Sequence, residues 1–184
     1  MRAIAGIDCP EVPWRNGLGT TRELFATPNL RVSLAHERAD AAFSDFTGWS
    51  RTIVPLGDGL ELSFEDGRRV ALTSGRPFEF DGGLVVHSVV RTPLDAFNVM
   101  SRRVALEHRV DALDAVTQRS VAARCAQLLY VVQGVVTIAE LELQAGVLAI
   151  ATESELELDC SRLALSPDAV ALAIFTAGRS AAAV

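Results

Sequence analysis

Residues 53–62 read IVPLGDGLEL, and residues 129–138 read LYVVQGVVTI. Each stretch contains an apolar strand, a turn with glycine, and a second strand in which apolar residues recur at every other position. Further along, LTSG at residues 72–75 corresponds to LQAG at residues 143–146, and an apolar-rich strand follows each turn. This repeated order predicts an all-β fold of two stacked antiparallel barrels, or jelly rolls, that arose by internal duplication.

Other segments show the same two-residue alternation. Residues 30–35, 60–65 and 78–81 alternate apolar with polar or small side chains, as half-buried strands do. With 184 residues, the chain has room for one large domain or for two small fused ones. We expect two barrel halves, residues 1–105 and residues 106–184. The alternative is a β protein in which the two similar stretches arise by chance.

The charge of the chain limits what it binds. The formal net charge is −6, with 23 acidic and 17 basic residues. Nucleic acids are bound through clustered cations that neutralise phosphates, so we expect no nucleic-acid partner. All the basic residues are arginine and none is lysine. This composition excludes a Schiff-base lysine and the lysine of a phosphate-binding P-loop.

Cysteine usage and hydropathy indicate the compartment. Cys9, Cys125 and Cys160 are widely spaced and form no CxxC motif, which favours reduced thiols over a zinc or redox site. The first residues contain no sustained apolar run, so we expect no signal peptide. No apolar run reaches 18 residues without charges, so we expect no membrane span. A cytoplasmic location follows from these expectations.

The stretch WRNGLGTTRE at residues 14–23 is the strongest candidate for a binding segment. Its glycines permit a tight turn, and the polar residues that follow alternate between two faces if they form a strand. Thr20 and Arg22 then share one face, while Thr21 and Glu23 share the other. The arginine fork suits a carboxylate ligand, but it equally suits a structural ion pair.

Two polar residues elsewhere stand out because apolar residues surround them. Arg51 begins the otherwise apolar strand at residues 52–56. Asn98 lies between Phe97 and Val99, and a buried amide needs a hydrogen-bond partner from a ligand or from neighbouring backbone. The candidate ligand-binding residues are Trp14, Asn16, Thr20, Arg22, Glu23, Arg51, His87, Asn98 and Arg102. Structural roles are the alternative for each of them, such as a turn for Asn16 or a satisfied core or edge position for His87.

Residues 130–138 and 143–146 resemble the hairpin and turn of a cupin. Metal-binding cupins place a His-x-His pair and a glutamate just after the first glycine, where imidazole and carboxylate hold a transition metal. The corresponding residues 135–142 and 60–66 contain no histidine. We therefore expect no metal site and no cofactor.

Four segments together resemble the HutD/Ves family of bicupins. They are WRNGLGTTRE at 14–23, FSDFTGWSR at 43–51, PFEF at 77–80 and FNVMSR at 97–102. Two positions depart from the family pattern, because Thr47 stands where the family has proline and Ala96 where it has aspartate. The resemblance implies a bicupin linked to histidine utilisation that binds a small pathway metabolite such as urocanate or a formylated glutamate.

These observations lead to a metal-independent protein that binds a small anionic metabolite in its N-terminal half. Arg22 and Arg51 would neutralise a carboxylate, and Thr20 and Asn98 would orient the ligand. No catalytic residue is assigned, and a metal-independent isomerase or hydrolase for a small carboxylate is the alternative function. A regulatory interaction module that uses a barrel edge is a third hypothesis. Cupin precedent also suggests a homodimer.

Overall fold

The computed structural model describes residues 1–114, 117, 125–138, 140–151 and 158–179. Its strands are β1 (Arg2–Ala5), β2 (Glu11–Pro13), β3 (Gly19–Ala26), β4 (Leu30–Glu37), β5 (Ala41–Ala42), β6 (Trp49–Pro55), β7 (Leu60–Phe64), β8 (Arg69–Ala71), β9 (Phe78–Asp81), β10 (Val86–Val90), β11 (Leu94–Arg102), β12 (Leu106–Leu113), β13 (Cys125–Ala126), β14 (Leu128–Gln133), β15 (Val135–Ile138), β16 (Leu141–Gln144), β17 (Val147–Ile150), β18 (Leu158–Asp159), β19 (Leu163–Leu165) and β20 (Val170–Gly178). Two short 3₁₀ helices span Gly6–Asp8 and Cys160–Arg162. The described residues contain no α-helix, and the predicted all-β class is confirmed.

The chain forms two compact units, and each unit combines two separate segments of the chain. One unit combines Met1–Cys9 with Arg109–Thr176, and the other combines Pro10–His108 with the described residues from Ala177 onwards. The first nine residues join the later part of the chain because β1 pairs antiparallel with β17, with Arg2 opposite Ile150. The predicted domains, 1–105 and 106–184, are continuous stretches, and their status as domains stays a prediction.

The unit built on Pro10–His108 contains two sheets that pack face to face. Its strand orders are β2-β3-β4-β11-β6-β9 and β5-β10-β7-β8. Apolar residues at alternate strand positions fill the space between the sheets, because successive side chains of a strand point to opposite faces. This core cluster consists of Ile53, Leu60, Leu62, Phe64, Phe80, Val86, Leu94 and Ala96. Burial of each large side chain contributes roughly 1.5–3 kcal/mol.

The second unit has its own core between the sheets β1-β17-β14-β20-β12 and β16-β15-β19. Leu129 and Val131 of β14 face Val136 and Ile138 of β15 in one buried cluster. Both cores are supplied by strands with regular alternation, as the sequence predicts. No helix in the described part of the chain is long and apolar enough to cross a membrane.

The glycine turns of the two similar stretches connect different sheets. β6 and β9 pair in one sheet of their unit, while β7 and β8 pair in the other. In the second unit, β14 pairs with β17 and β15 pairs with β16. At each glycine turn the chain therefore turns a corner from one sheet of its unit to the other. Gly59 and Gly134 make these corners with φ values of 97° and 72°, which favour glycine.

Candidate functional site

A cavity of about 910 Å³ lies in the unit built on Pro10–His108. Four adjacent strands supply one wall through residues on a single face: Thr21 and Glu23 of β3, Arg31, Ser33 and Ala35 of β4, Asn98 and Met100 of β11, and Arg51 of β6. Residues 10–16 and 42–46 supply further lining side chains, including Trp14, Phe43 and Phe46. The cavity therefore combines cations, amides and aromatic rings.

Strand register explains why these residues meet. Residues directly opposite each other in an antiparallel pair point to the same face of the sheet. The two rows that cross this wall are Glu23–Ser33–Asn98 and Arg31–Met100–Arg51. Residues far apart in sequence thus contribute to one polar surface.

Arg51 is the central cation of the cavity. Its side chain is 8% exposed, and its guanidinium carbon lies 4.1 Å from the ring centre of Phe43 and 5.4 Å from that of Phe80. Desolvation lowers the pKa of Arg51 to about 10, against the opposing attraction of Glu37. The guanidinium remains charged at neutral pH, so the cavity wall carries a buried positive charge.

Asn98 holds Arg51 in place. The Oδ1 atom of Asn98 accepts hydrogen bonds from Nη2 of Arg51 at 2.9 Å and from Nε at 3.2 Å. Its Nδ2 atom donates to the carbonyl oxygen of Ala96 at 3.1 Å, and the side chain is buried. Within the described part of the chain, Nη1 of Arg51 has no hydrogen-bond or ion-pair partner. The guanidinium is fixed on one edge and has N–H groups left for a ligand.

Arg31 and Glu23 form a more exposed pair on the same wall. Nε of Arg31 lies 2.8 Å from Oε2 of Glu23, and the guanidinium lies 5.9 Å from the ring centre of Phe46. An exposed ion pair of this kind contributes at most about 1 kcal/mol. Arg31 can therefore exchange its partner for a ligand at low cost.

The turn before β3 shapes the cavity mouth. Nε1 of Trp14 donates to Oγ1 of Thr21 at 2.8 Å, which fixes the indole against the strand. Oδ1 of Asn16 accepts a hydrogen bond from the backbone N–H of Leu18 at 3.0 Å. Asn16 thus has the turn-forming role that the sequence left open, and it also lines the cavity.

The structure brings five of the nine predicted site residues to the cavity: Trp14, Asn16, Glu23, Arg51 and Asn98. The other four do not line it. Nη2 of Arg22 lies 2.6 Å from Oε2 of Glu11 in a partly exposed ion pair. The predicted joint action of Arg22 and Arg51 on one ligand does not fit, because Thr20 and Arg22 lie on the opposite face of β3 from Thr21 and Glu23.

His87 and Arg102 also lie outside the cavity lining. His87 is an exposed residue of β10, opposite Ser63 of β7. Arg102 is exposed, stacks 4.9 Å from the ring centre of Trp49, and donates from Nε to the carbonyl oxygen of Pro28 at 3.1 Å. The contacts of Arg102 give it a structural role, while His87 lies on an exposed strand position.

Sequence reasoning missed Arg31 and Ser33, although the signal was present. Residues 31, 33, 35 and 37 form one face of β4, and three of them are polar. Polar residues at alternate positions of a buried strand point to a cavity or to a buried network.

Glu37 ends this face of β4, and sequence reasoning missed it as well. The residue is 0% exposed, and neither carboxylate oxygen has a hydrogen-bond partner within the described residues. Desolvation raises the pKa of Glu37, while the Ser88 hydroxyl and the Arg51 guanidinium oppose this shift. Ser88 lies close enough to favour the ionised form of Glu37. Its Oγ, however, donates its hydrogen bond to the carbonyl oxygen of Ala41 at 3.3 Å. Glu37 is a buried acid with weak compensation.

The three histidines lie apart from one another in the structure. Nδ1 of His36 lies 2.7 Å from Oδ1 of Asp95, and His108 is buried between Thr52 and Ser101. Across the described residues, no group of three or more histidine, cysteine, aspartate or glutamate side chains is placed to hold a metal ion.

Comparison with known proteins identifies relatives over most of the chain. A family model described as HutD matches residues 7–170. Protein Ves of Escherichia fergusonii is 30% identical over 111 residues, which cover 55% of this chain. The chain spans 58% of the length of that relative.

Two solved structures match nearly the whole chain. HutD from Pseudomonas fluorescens SBW25 gives a TM-score of 0.73 at 21% identity. A conserved protein of unknown function from Pseudomonas aeruginosa PAO1 gives a TM-score of 0.76 at 22% identity. Both alignments cover 97% of this chain and 99% of the other. At these identities the likeness shows the fold.

Proposed function

The chain belongs to the HutD family, and from that premise we propose that it binds a small carboxylate anion in the cavity around Arg51. The observation that carries this proposal is a buried guanidinium with unused N–H groups on a cavity wall. A guanidinium that is held on one edge in a cavity wall presents its remaining N–H groups to an acceptor that enters from outside. An anion meets both its charge and its hydrogen-bonding requirement.

In this proposal the lining residues have separate roles. Nη1 of Arg51 binds the carboxylate, while Asn98 positions the guanidinium without contacting the anion through its occupied Oδ1. Arg31 supplies a second, exchangeable cation near the rim. Trp14, Phe43 and Phe46 supply apolar surface for the remainder of the ligand.

The cavity walls and the family membership together support a particular class of ligand. A cavity of about 910 Å³ is large enough for a metabolite rather than a simple ion. We propose a metabolite of histidine utilisation, with urocanate and N-formylglutamate as the first candidates. Their carboxylates match Arg51, and their other groups match a wall that mixes aromatic rings with amides and hydroxyls.

We also propose that the two units are cupin-like barrels related by duplication. The support is the same order of strand pairing in both. β6 pairs with β9 and β11, and β7 pairs with β8 and β10. β14 pairs with β17 and β20, and β15 pairs with β16 and β19. Superposition of the six matching strands tests this idea, and strands that fail to align as one set would contradict it.

Calorimetric titration tests the binding function. We expect heat on addition of urocanate, N-formylglutamate or histidine to the wild-type protein. Arg51→Met should weaken binding about 10- to 100-fold, because a hydrogen bond to a charged group contributes roughly 1.5–3 kcal/mol. Arg22→Met is the matched control, since Arg22 is an arginine outside the cavity, and it should bind normally. The absence of heat for all three compounds, or unchanged binding by Arg51→Met, would refute the proposal.

A further inference from the structure

Glu37 is the last residue of β4 and lies on the face of that strand that lines the cavity. Arg31, Ser33 and Ala35 line the cavity from one face of β4, and Glu37 is the next residue on that face. The carboxyl group is fully buried and lacks a hydrogen-bond partner among the described residues. A buried carboxylate in this setting is unstable unless a nearby positive charge compensates it.

Arg51 lies on the same face of the sheet as Glu37 and attracts it, although no hydrogen bond or ion pair joins the two side chains within the described residues. The strand neighbours directly opposite Glu37 are Gly19 of β3 and Leu94 of β11, and neither carries a charge. From the facing sheet, Ser88 of β10 offers only a hydroxyl group. Arg51 of β6 is the charged residue that acts on Glu37, and the attraction is mutual.

The other charged residues near this end of β4 are engaged elsewhere. His36 adjoins Glu37 in the chain, but its Nδ1 lies 2.7 Å from Oδ1 of Asp95 on the opposite face. Nη2 of Arg38 lies 3.8 Å from Oε1 of Glu11. In the cavity, Glu23 is paired with Arg31 at 2.8 Å. The positive charge of Arg51 therefore attracts both Glu37 and an anion that enters the cavity.

We propose that binding of a carboxylate at Arg51 is coupled to uptake of up to one proton by Glu37. This inference rests on the proposed function, because it requires an anion at Arg51. When the anion neutralises the guanidinium, ionised Glu37 loses its compensating charge and takes a proton from solvent. The ligand and the proton thus enter together and leave together.

Thermodynamic reciprocity gives the direction of the pH dependence. If the anion promotes protonation of Glu37, then protonation of Glu37 promotes binding of the anion by the same factor. Affinity should rise as the pH falls through the raised pKa of Glu37, above the ordinary value of 4.5. One coupled proton changes the dissociation constant by at most about tenfold per pH unit.

Calorimetry in two buffers of different ionisation enthalpy measures this proton directly. N-formylglutamate is the probe, because its own carboxylates stay ionised above pH about 6. We expect the wild-type protein to take up a fraction of a proton on binding and to lose affinity as the pH rises. Glu37→Gln, which keeps the shape but cannot ionise, should bind with no proton uptake and no such pH dependence. Glu65→Gln, a change in an exposed turn, should behave as wild type.

The outcomes separate this inference from the proposed function. Binding without proton uptake by the wild-type protein, or equal uptake by Glu37→Gln, would overturn the coupling and leave the binding function intact. Failure of N-formylglutamate, urocanate and histidine to bind would overturn both. If Glu37→Gln does not fold, infrared spectra of the wild-type protein test the coupling instead. They show the carbonyl stretch of a protonated carboxylic acid. The band should grow on addition of the probe, and an unchanged band would refute the coupling.

Discussion

Acidification from pH 7 to pH 5 is expected to remove about 2 kcal/mol of stability through one side chain, His108. Its imidazole lies behind the cavity wall, with Nε2 2.9 Å from Oγ1 of Thr52 and Nδ1 2.7 Å from Oγ of Ser101. Ser101 also donates to the carbonyl oxygen of Leu106 at 3.2 Å. A neutral imidazole with its proton on Nδ1 satisfies this network and ties His108 to Thr52 of β6 and Ser101 of β11.

The magnitude follows from the difference between the folded and unfolded proton affinities. Desolvation lowers the pKa of His108 from 6.5 to about 4 in the folded protein. The unfolded chain therefore binds a proton more readily, and acid favours unfolding. At about 1.36 kcal/mol per pKa unit, the full effect is about 3 kcal/mol. It is absent above pH 6.5, reaches about 2 kcal/mol at pH 5, and is complete below pH 4.

Urea unfolding at a series of pH values from 7.5 to 4.5 checks this prediction. The wild-type protein should lose stability more steeply than His108→Gln over that range, whatever the stability of the variant at pH 7.5. His87→Gln is the matched control, because His87 is exposed on β10, and it should follow the wild type. Parallel curves for wild type and His108→Gln would refute the reasoning. If the variant does not fold, NMR titration of the wild type replaces it, and a His108 signal that titrates near pH 6.5 would refute the argument.

Three further substitutions test the site and the fold. Asn98→Ala should weaken carboxylate binding at least about tenfold, because Arg51 loses its acceptor, and calorimetry measures this loss. Gly134→Ala should destabilise the fold by about 1–3 kcal/mol more than Gly146→Ala in urea unfolding, because both have positive φ but only Gly134 has backbone and a hydroxyl under 3.0 Å from an added Cβ. Glu37→Gln should be more stable than wild type at pH 8 and lose this advantage by pH 4.5, since the raised pKa makes ionisation costly when folded.

The strands themselves were predictable because their signal is local. The alternation at residues 30–35, 60–65 and 78–81 corresponds to β4, β7 and β9. Arg51 and Asn98 were also recognisable, since a polar residue between apolar ones in a strand needs a partner. The two side chains bind each other, and within the described residues Nη1 of the Arg51 guanidinium has no partner.

The choice of face on β3 was not predictable from the segment alone. Alternation separates Thr20 and Arg22 from Thr21 and Glu23, but it does not say which pair faces the cavity. The pairing of Glu23 with Ser33 on β4, and of Ser33 with Asn98 on β11, decides it. These pairings join residues that are distant in sequence, so they cannot be read from the segment itself. The sequence analysis therefore placed Arg22 at the ligand, whereas the structure pairs it with Glu11.

Long-range pairing also explains the other differences. Gly59 and Gly134 were correctly read as turns, yet only the sheet partners of the flanking strands show that the chain changes sheets there. The pairing of β1 with β17 similarly places the first residues with the later part of the chain. Glu37 was missed because a single acid at the end of a strand is usually exposed, and its burial depends on the facing sheet.

A crystal structure of the protein with urocanate or N-formylglutamate tests the central claim most directly. We expect a carboxylate within hydrogen-bond distance of Nη1 of Arg51, with the Asn98 contacts to Nε and Nη2 retained. The remainder of the ligand should lie against Phe43 and Phe46. An anion bound on the Arg22 face of β3, or a saturating ligand absent from the Arg51 cavity, would contradict the account.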